Sequence, residues 1–246
     1  MKTPHAILIG FAVIIAAIFV FPSNVANAGA ELVTYTSTPT PLRGYLCRPP
    51  GRGPFPLVVY NHGGLGNIIG GAPRETCEAL ENGGFVGLAP IRRQTRSMRG
   101  HIDDVFAGMH YGLNLPYVDP RRVALMGFSR GGLLTLMAAT QRDDLQALVV
   151  MAPAMGGRSQ MNRVMEKLDA ISASVLLMVA KNDTGSKSTR GQNTLAGSRS
   201  LTKALRAAGR NVRFIEYPPY GSDGHTKFFR VGDYWRDVVV FLREHL

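Results

Sequence analysis

Ser129 stands in the run Gly127-Phe128-Ser129-Arg130-Gly131. An apolar stretch at 123–126 precedes it, and a leucine-rich stretch with helical spacing resumes at Leu133. A G-x-S-x-G run at a strand-to-helix junction lifts a serine hydroxyl clear of a sheet in a sharp, strained turn. The positions two before and two after the serine must be small for that turn to close, and both are glycine. The helix N-terminus behind the serine favours developing negative charge. The chemistry this permits is nucleophilic attack on a carbonyl carbon. A glycine-rich turn with an ordinary exposed serine has the same bare pattern, so the partners further along the chain decide between the two.

A serine hydroxyl becomes a nucleophile only when a base takes its proton, and the base needs an acid to hold its tautomer. Downstream, the apolar run 175–180 leads into Lys181-Asn182-Asp183. Asp183 thus follows the C-terminal end of an expected strand, the edge where open α/β sheets bind ligands. His225 follows the last expected strand in Gly221-Ser222-Asp223-Gly224-His225, and the only later histidine, His245, sits at the tail of the chain. A loop histidine flanked by glycine can swing into position over the serine. Asp223 competes with Asp183 as the acid and ranks lower, because two residues is a cramped separation for reaching the far nitrogen of the same imidazole. The expected set is Ser129 as nucleophile, His225 as base and Asp183 as acid.

Acyl transfer develops an oxyanion, which backbone N–H groups stabilise by about 3 kcal/mol each when aimed at it. In G-x-S-x-G enzymes one donor is the residue after the nucleophile, here Arg130, and the other lies in an upstream glycine-rich loop. Asn61-His62-Gly63-Gly64-Leu65-Gly66 directly follows the apolar run 57–60 and supplies that loop. The expected second donor is Gly64, with Leu65 as the fallback, and His62 reads as a loop-shaping residue that hydrogen-bonds locally.

These residues need a scaffold, and the chain supplies it as alternating segments. Apolar or alternating runs at 32–36, 42–48, 57–60, 85–89, 122–126, 147–152, 175–180 and 212–217 read as strands. Helical spacing is expected at 73–81, 102–115, after the elbow, and at 161–171, 194–208 and 233–246. Strands alternating with helices predict a mostly parallel sheet covered on both faces.

The run 6–21 is apolar, is preceded by Lys2, and is followed by Pro22 and by Ala26-Asn27-Ala28. That is the pattern of a secretory signal at 1–28, cleaved after Ala28, with an uncleaved anchor helix as the alternative. A single domain at 29–246, in the periplasm or secreted, with no stable membrane span after cleavage, is the expectation. The formal charge of the 246-residue chain is +11, yet no nucleic-acid motif accompanies it, so the charge reads as a surface property rather than a nucleic-acid footprint. The two cysteines, Cys47 and Cys77, either form a disulfide after export or are small buried apolar side chains. The loop 91–100 holds Arg92, Arg93, Arg96 and Arg99; it reads first as a solvated basic loop, and alternatively as a binder of a substrate carboxylate or phosphate.

The runs Tyr60-Asn61-His62-Gly63-Gly64-Leu65-Gly66, Gly127-Phe128-Ser129-Arg130-Gly131-Gly132, Val179-Ala180-Lys181-Asn182-Asp183 and Asp223-Gly224-His225, in this order and on these elements, resemble the α/β-hydrolase superfamily. Within it the chain is similar to the dienelactone hydrolase-like and prolyl-oligopeptidase-like serine esterase branch, over essentially everything from about Tyr35 onward. The resemblance implies an α/β-hydrolase fold, a mostly parallel central sheet with helices on both faces and no sizeable lid. It implies Ser129, Asp183 and His225 as catalytic residues, Gly64 and Arg130 as the oxyanion hole, and no metal or organic cofactor. Dienelactone hydrolases proper use a cysteine nucleophile, so Ser129 points away from that particular activity. The short connection 153–174 implies an open site for small or medium esters, among them anionic ones. Two other readings stand beside it: a serine peptidase acting on short peptides, and a non-catalytic binding protein on the same fold.

Overall fold

A computed structural model describes residues 29–37, 40–64, 66–156 and 158–246. The expected signal at 1–28 and the fallback donor Leu65 lie outside the described residues. Eight strands form one sheet: β1 (Glu31–Thr36), β2 (Leu42–Cys47), β3 (Phe55–Asn61), β4 (Val86–Pro90), β5 (Val118–Phe128), β6 (Ala147–Met151), β7 (Ser174–Ala180) and β8 (Val212–Tyr217). Their order across the sheet is β1-β2-β4-β3-β5-β6-β7-β8. The β1–β2 and β2–β4 pairs are antiparallel, and from β4 to β8 every pairing is parallel. The expected architecture is the one observed.

The strands β3, β6 and β7 are buried almost throughout because both faces of the sheet are covered. Alternate residues serve opposite faces. Leu57 and Val59 of β3 join Leu125, Leu148 and Leu177 in one core, under α2 (His101–Leu113), α3 (Arg130–Ala139), α4 (Arg158–Met165) and α5 (Thr194–Ala207). Val58 and Tyr60 join Met126, Val149 and Met178 in the other, under α1 (Pro73–Asn82) and α6 (Trp235–His245). Each fully buried leucine or valine contributes roughly 1.5–3 kcal/mol, so a register slip in β3 would cost both cores at once.

The sheet has its switch point at β3, since β4 lies on one side of it and β5 on the other. Chain ends leaving β3 and β5 in opposite directions open a crevice at the C-terminal edge of the strands. The loop at 62–71, Ser129, the loop after β7 and the turn after β8 all emerge there. The β6–β7 connection holds α4 and a one-turn helix, Leu168–Ala170, so no long insertion covers the crevice from that side. Among the described residues no helix is long and apolar enough to cross a membrane. Cys47 and Cys77 form a disulfide, with their α-carbons 5.6 Å apart, tying β2 to α1.

Candidate active site

Ser129 sits between β5 and α3 with φ 53° and ψ −116°, a conformation non-glycine residues seldom adopt. Its backbone is pinned from three sides. Its N–H donates to the Met151 carbonyl (2.9 Å), and its own carbonyl accepts from Leu133 (3.1 Å) and Ala154 (2.9 Å). A side chain at Gly131 would run into the Asn61 carbonyl, and one at Gly127 into the Gly131 carbonyl. Gly131 is therefore required by contact between β3 and the start of α3, and Gly127 by contact between β5 and the start of α3.

His225 lies in a one-turn helix, Gly224–Phe228, after β8. Asp223 caps the turn by accepting the His225 N–H at 3.0 Å, and the histidine is only 2 % exposed. Its ring rests on Phe128, with centroids 4.8 Å apart. Nδ1 is 2.8 Å from Asp183 Oδ2, and Nε2 is 3.0 Å from Ser129 Oγ. An ionised carboxylate only accepts, so Nδ1 carries the proton there and Nε2 is left as the acceptor facing the serine. Asp183 is 1 % exposed at the end of β7. Asp223 is placed elsewhere, with its other oxygen accepting from Ser186 (2.8 Å) and Ser188 (2.7 Å). Partial burial raises the Asp223 pKa, and the donors from Ser188, Ser186 and the His225 amide outweigh it, so the net direction is down.

Sequence reasoning missed Asn182. Its side-chain amide donates to the Tyr220 and Gly221 carbonyls (3.2 Å each) and accepts the Tyr220 N–H (2.9 Å). It staples the loop carrying Asp183 to the segment carrying His225. The available signal was an asparagine directly before a candidate acid at a strand end, where its amide can bond backbone on both sides.

Gly64 and Arg130 line the same cleft as Ser129 and His225, and among the described residues neither backbone N–H donates to a backbone carbonyl. Gly64 has φ +87°, and any side chain on it would strike the Ile68 carbonyl.

Residues 94–174 match the prolyl oligopeptidase family. The chain is 26% identical over 148 residues to the uncharacterized peptidase YtmA of Bacillus subtilis, a match covering 57% of this chain and 56% of that protein. It spans just over half the length of the curated relatives it matches. Among solved structures, the hyperthermophilic esterase of Pyrobaculum calidifontis superposes with a TM-score of 0.63 at 18% identity, over 85% of this chain and 82% of that one. A Klebsiella pneumoniae protein named as a candidate dienelactone hydrolase superposes with a TM-score of 0.66 at 19% identity, over 88% and 98%. The chain is an α/β-hydrolase by fold.

In this hydrolase fold the cleft over Ser129 has a volume of about 1430 Å³, and both apolar and basic side chains line it. Ile68, Ile69 and Phe229 form an exposed apolar lip. Arg96, Arg130, Lys187 and Arg190 line it too, and among the described residues none of these four is in an ion pair. Arg74 and Arg230, also on the cleft, are matched by Glu78 and Glu75. Partial burial, and then the neighbouring Arg190, push the Arg130 guanidinium down.

The basic loop after β4 is not one solvated unit. Arg92 is buried, whereas Arg93 makes a forked bond to the buried Asp104, Nε donating to Oδ2 at 3.0 Å and Nη2 to Oδ1 at 2.6 Å. Arg96 faces the cleft and Arg99 is exposed.

Proposed function

We propose that this chain is a serine hydrolase that cleaves small or medium carboxylic esters through Ser129, His225 and Asp183. The single observation that carries the reading is the unbroken hydrogen-bonded chain Asp183–His225–Ser129, with its serine end open to the cleft. Ser129 Oγ attacks the ester carbonyl while His225 Nε2 takes the hydroxyl proton. The carbonyl oxygen gains the negative charge, and the Gly64 and Arg130 amides receive it. Collapse of the tetrahedral intermediate breaks the bond to the alcohol, which leaves with the proton from His225. Water then gives a proton to Nε2 and attacks the acyl-enzyme, releasing the acid and restoring the serine. Asp183 stays ionised throughout and holds the imidazolium.

The preferred esters carry a negative charge. Four cations with no ion-pair partner among the described residues raise the local concentration of an anion in the cleft, and a guanidinium takes a carboxylate as a fork. Activity outside the cytoplasm is the matching location, supported by the Cys47–Cys77 disulfide and the sequence pattern of 1–28. A serine peptidase acting on short peptides is the second reading, favoured by the family that residues 94–174 match.

A panel separates these readings. Phenyl hydrogen glutarate and 4-carboxyphenyl acetate, charged on the acyl and alcohol sides, are compared with neutral phenyl esters and with peptide anilides. At least one charged ester is expected to show kcat/KM about tenfold above its neutral counterpart at low salt. That advantage should shrink as salt screens the cleft and in Lys187→Gln and Arg190→Gln. Equal rates for charged and neutral esters would remove the anionic preference, and faster anilide than ester cleavage would favour the peptidase.

A further inference from the structure

Arg92 is the group the reaction scheme leaves unused and the fold leaves uncompensated. It is 3 % exposed, and its Nε and Nη1 are buried with no hydrogen-bond partner among the described residues. The nearby carboxylate, Asp104, is taken by Arg93. A buried cation with no matched anion costs stability, so its contribution has to be sought elsewhere.

Among the described residues, every hydrogen bond Arg92 makes goes to His62. Its Nη2 donates to the His62 carbonyl at 2.7 Å, and its backbone N–H donates to His62 Nε2 at 3.3 Å. Nδ1 lies 2.6 Å from the Gly63 carbonyl, which can only accept, so Nδ1 carries the proton and Nε2 is the acceptor for the Arg92 amide. The 3.5 Å approach of Arg92 Nη2 to Nδ1 then brings two donors together and is not a hydrogen bond. The Gly63 carbonyl also accepts from the Gly70 N–H at 3.2 Å, while Gly63 N–H donates to Gly70 at 2.9 Å. The Gly63 carbonyl and the Gly64 N–H belong to one peptide group. Donors on the carbonyl oxygen polarise that group and strengthen its N–H as a donor.

We infer that Arg92 and His62 are positioning residues for the oxyanion hole, orienting and polarising the Gly63–Gly64 peptide so that the Gly64 amide meets the developing oxyanion. Burial, then the Arg92 charge, pushes His62 down to about 3, so the ring keeps its neutral, Nδ1-protonated form at working pH. Burial, then Arg130, pushes Arg92 down to about 10, which leaves it charged at neutral pH. The inference rests on the serine hydrolase reading.

The test compares wild type, Arg92→Lys, Arg92→Met and His62→Gln by steady-state kinetics on an ester the wild type cleaves. Phenylboronic acid affinity and thermal melts are measured alongside. Arg92→Met is expected to lower kcat about 10²-fold, the scale of losing one oxyanion donor, with KM changed less than about threefold and boronate affinity falling in step. Arg92→Lys, which keeps the charge, recovers at least about tenfold of that loss. If Arg92→Met does not fold, His62→Gln carries the same test, with a kcat loss of at least about tenfold at unchanged KM. Normal kcat in the folded variants, or a loss confined to KM, overturns the inference. So does a lysine variant no better than methionine whose loss follows the melting temperature. Absence of any wild-type turnover defeats the parent reading instead, and this inference with it.

Discussion

His225→Ala is expected to lower kcat by about 10⁶-fold, the largest effect of any single change outside the nucleophile itself, because nucleophile and base act as one unit. The ring takes the Ser129 proton through Nε2 at 3.0 Å and is held by Asp183 at 2.8 Å. Alanine removes both contacts and leaves space beside Phe128, so some stability is lost as well, on the order of 2–4 kcal/mol. Circular dichroism and a thermal melt accompany the kinetics, and His225→Gln, which fills more of the space, is the companion variant. A folded His225→Ala protein with near-normal kcat would remove His225 as the base.

Asp183→Asn is expected to lower kcat about 10⁴-fold with little change in fold. An asparagine amide facing Nδ1 favours the tautomer that puts the proton on Nε2, where the serine needs an acceptor. Asp223→Asn makes the contrast. Its Oδ1 only caps the turn that carries His225, and asparagine keeps an oxygen for that bond. Its kcat should stay within about fivefold of wild type, with a stability loss of about 1 kcal/mol. If the two variants exchange these effects, the acid has been assigned to the wrong residue.

The elbow was legible because its requirement is local. Only glycine fits opposite the Asn61 carbonyl at 131 and against the start of α3 at 127, so the constraint is written into five consecutive residues. The positions of Asp183 and His225 were legible for a different reason. Parallel strands all end on one edge, so the connections that leave β7 and β8 start on the same side of the sheet as the serine after β5.

What stayed hidden depended on packing between distant segments. Cys47 and Cys77 bond because α1 lies over β2, a distance that their separation of 30 residues does not encode. The arginines at 92, 93 and 96 look alike in sequence. Their fates differ because one runs beneath the loop after β3, one meets Asp104 of α2, and one reaches the cleft. The capped, buried setting of His225 was hidden too, since Asp223 reads as a rival acid before it reads as a cap. Even β5 begins earlier than its apolar run. Asp119 binds the Arg121 amide and both the Arg121 and Arg122 guanidiniums, which carries the polar stretch into the strand.

The most direct test of an activated serine is stoichiometric labelling of the purified protein by a fluorophosphonate, followed by intact mass and peptide mapping, with Ser129→Ala alongside. An assembled Asp183–His225–Ser129 chain predicts one phosphonyl group per molecule, located on Ser129 and absent from the variant. A folded wild-type protein that takes up no label, or takes it up equally in Ser129→Ala, would contradict the serine hydrolase reading and leave a binding protein on the same fold.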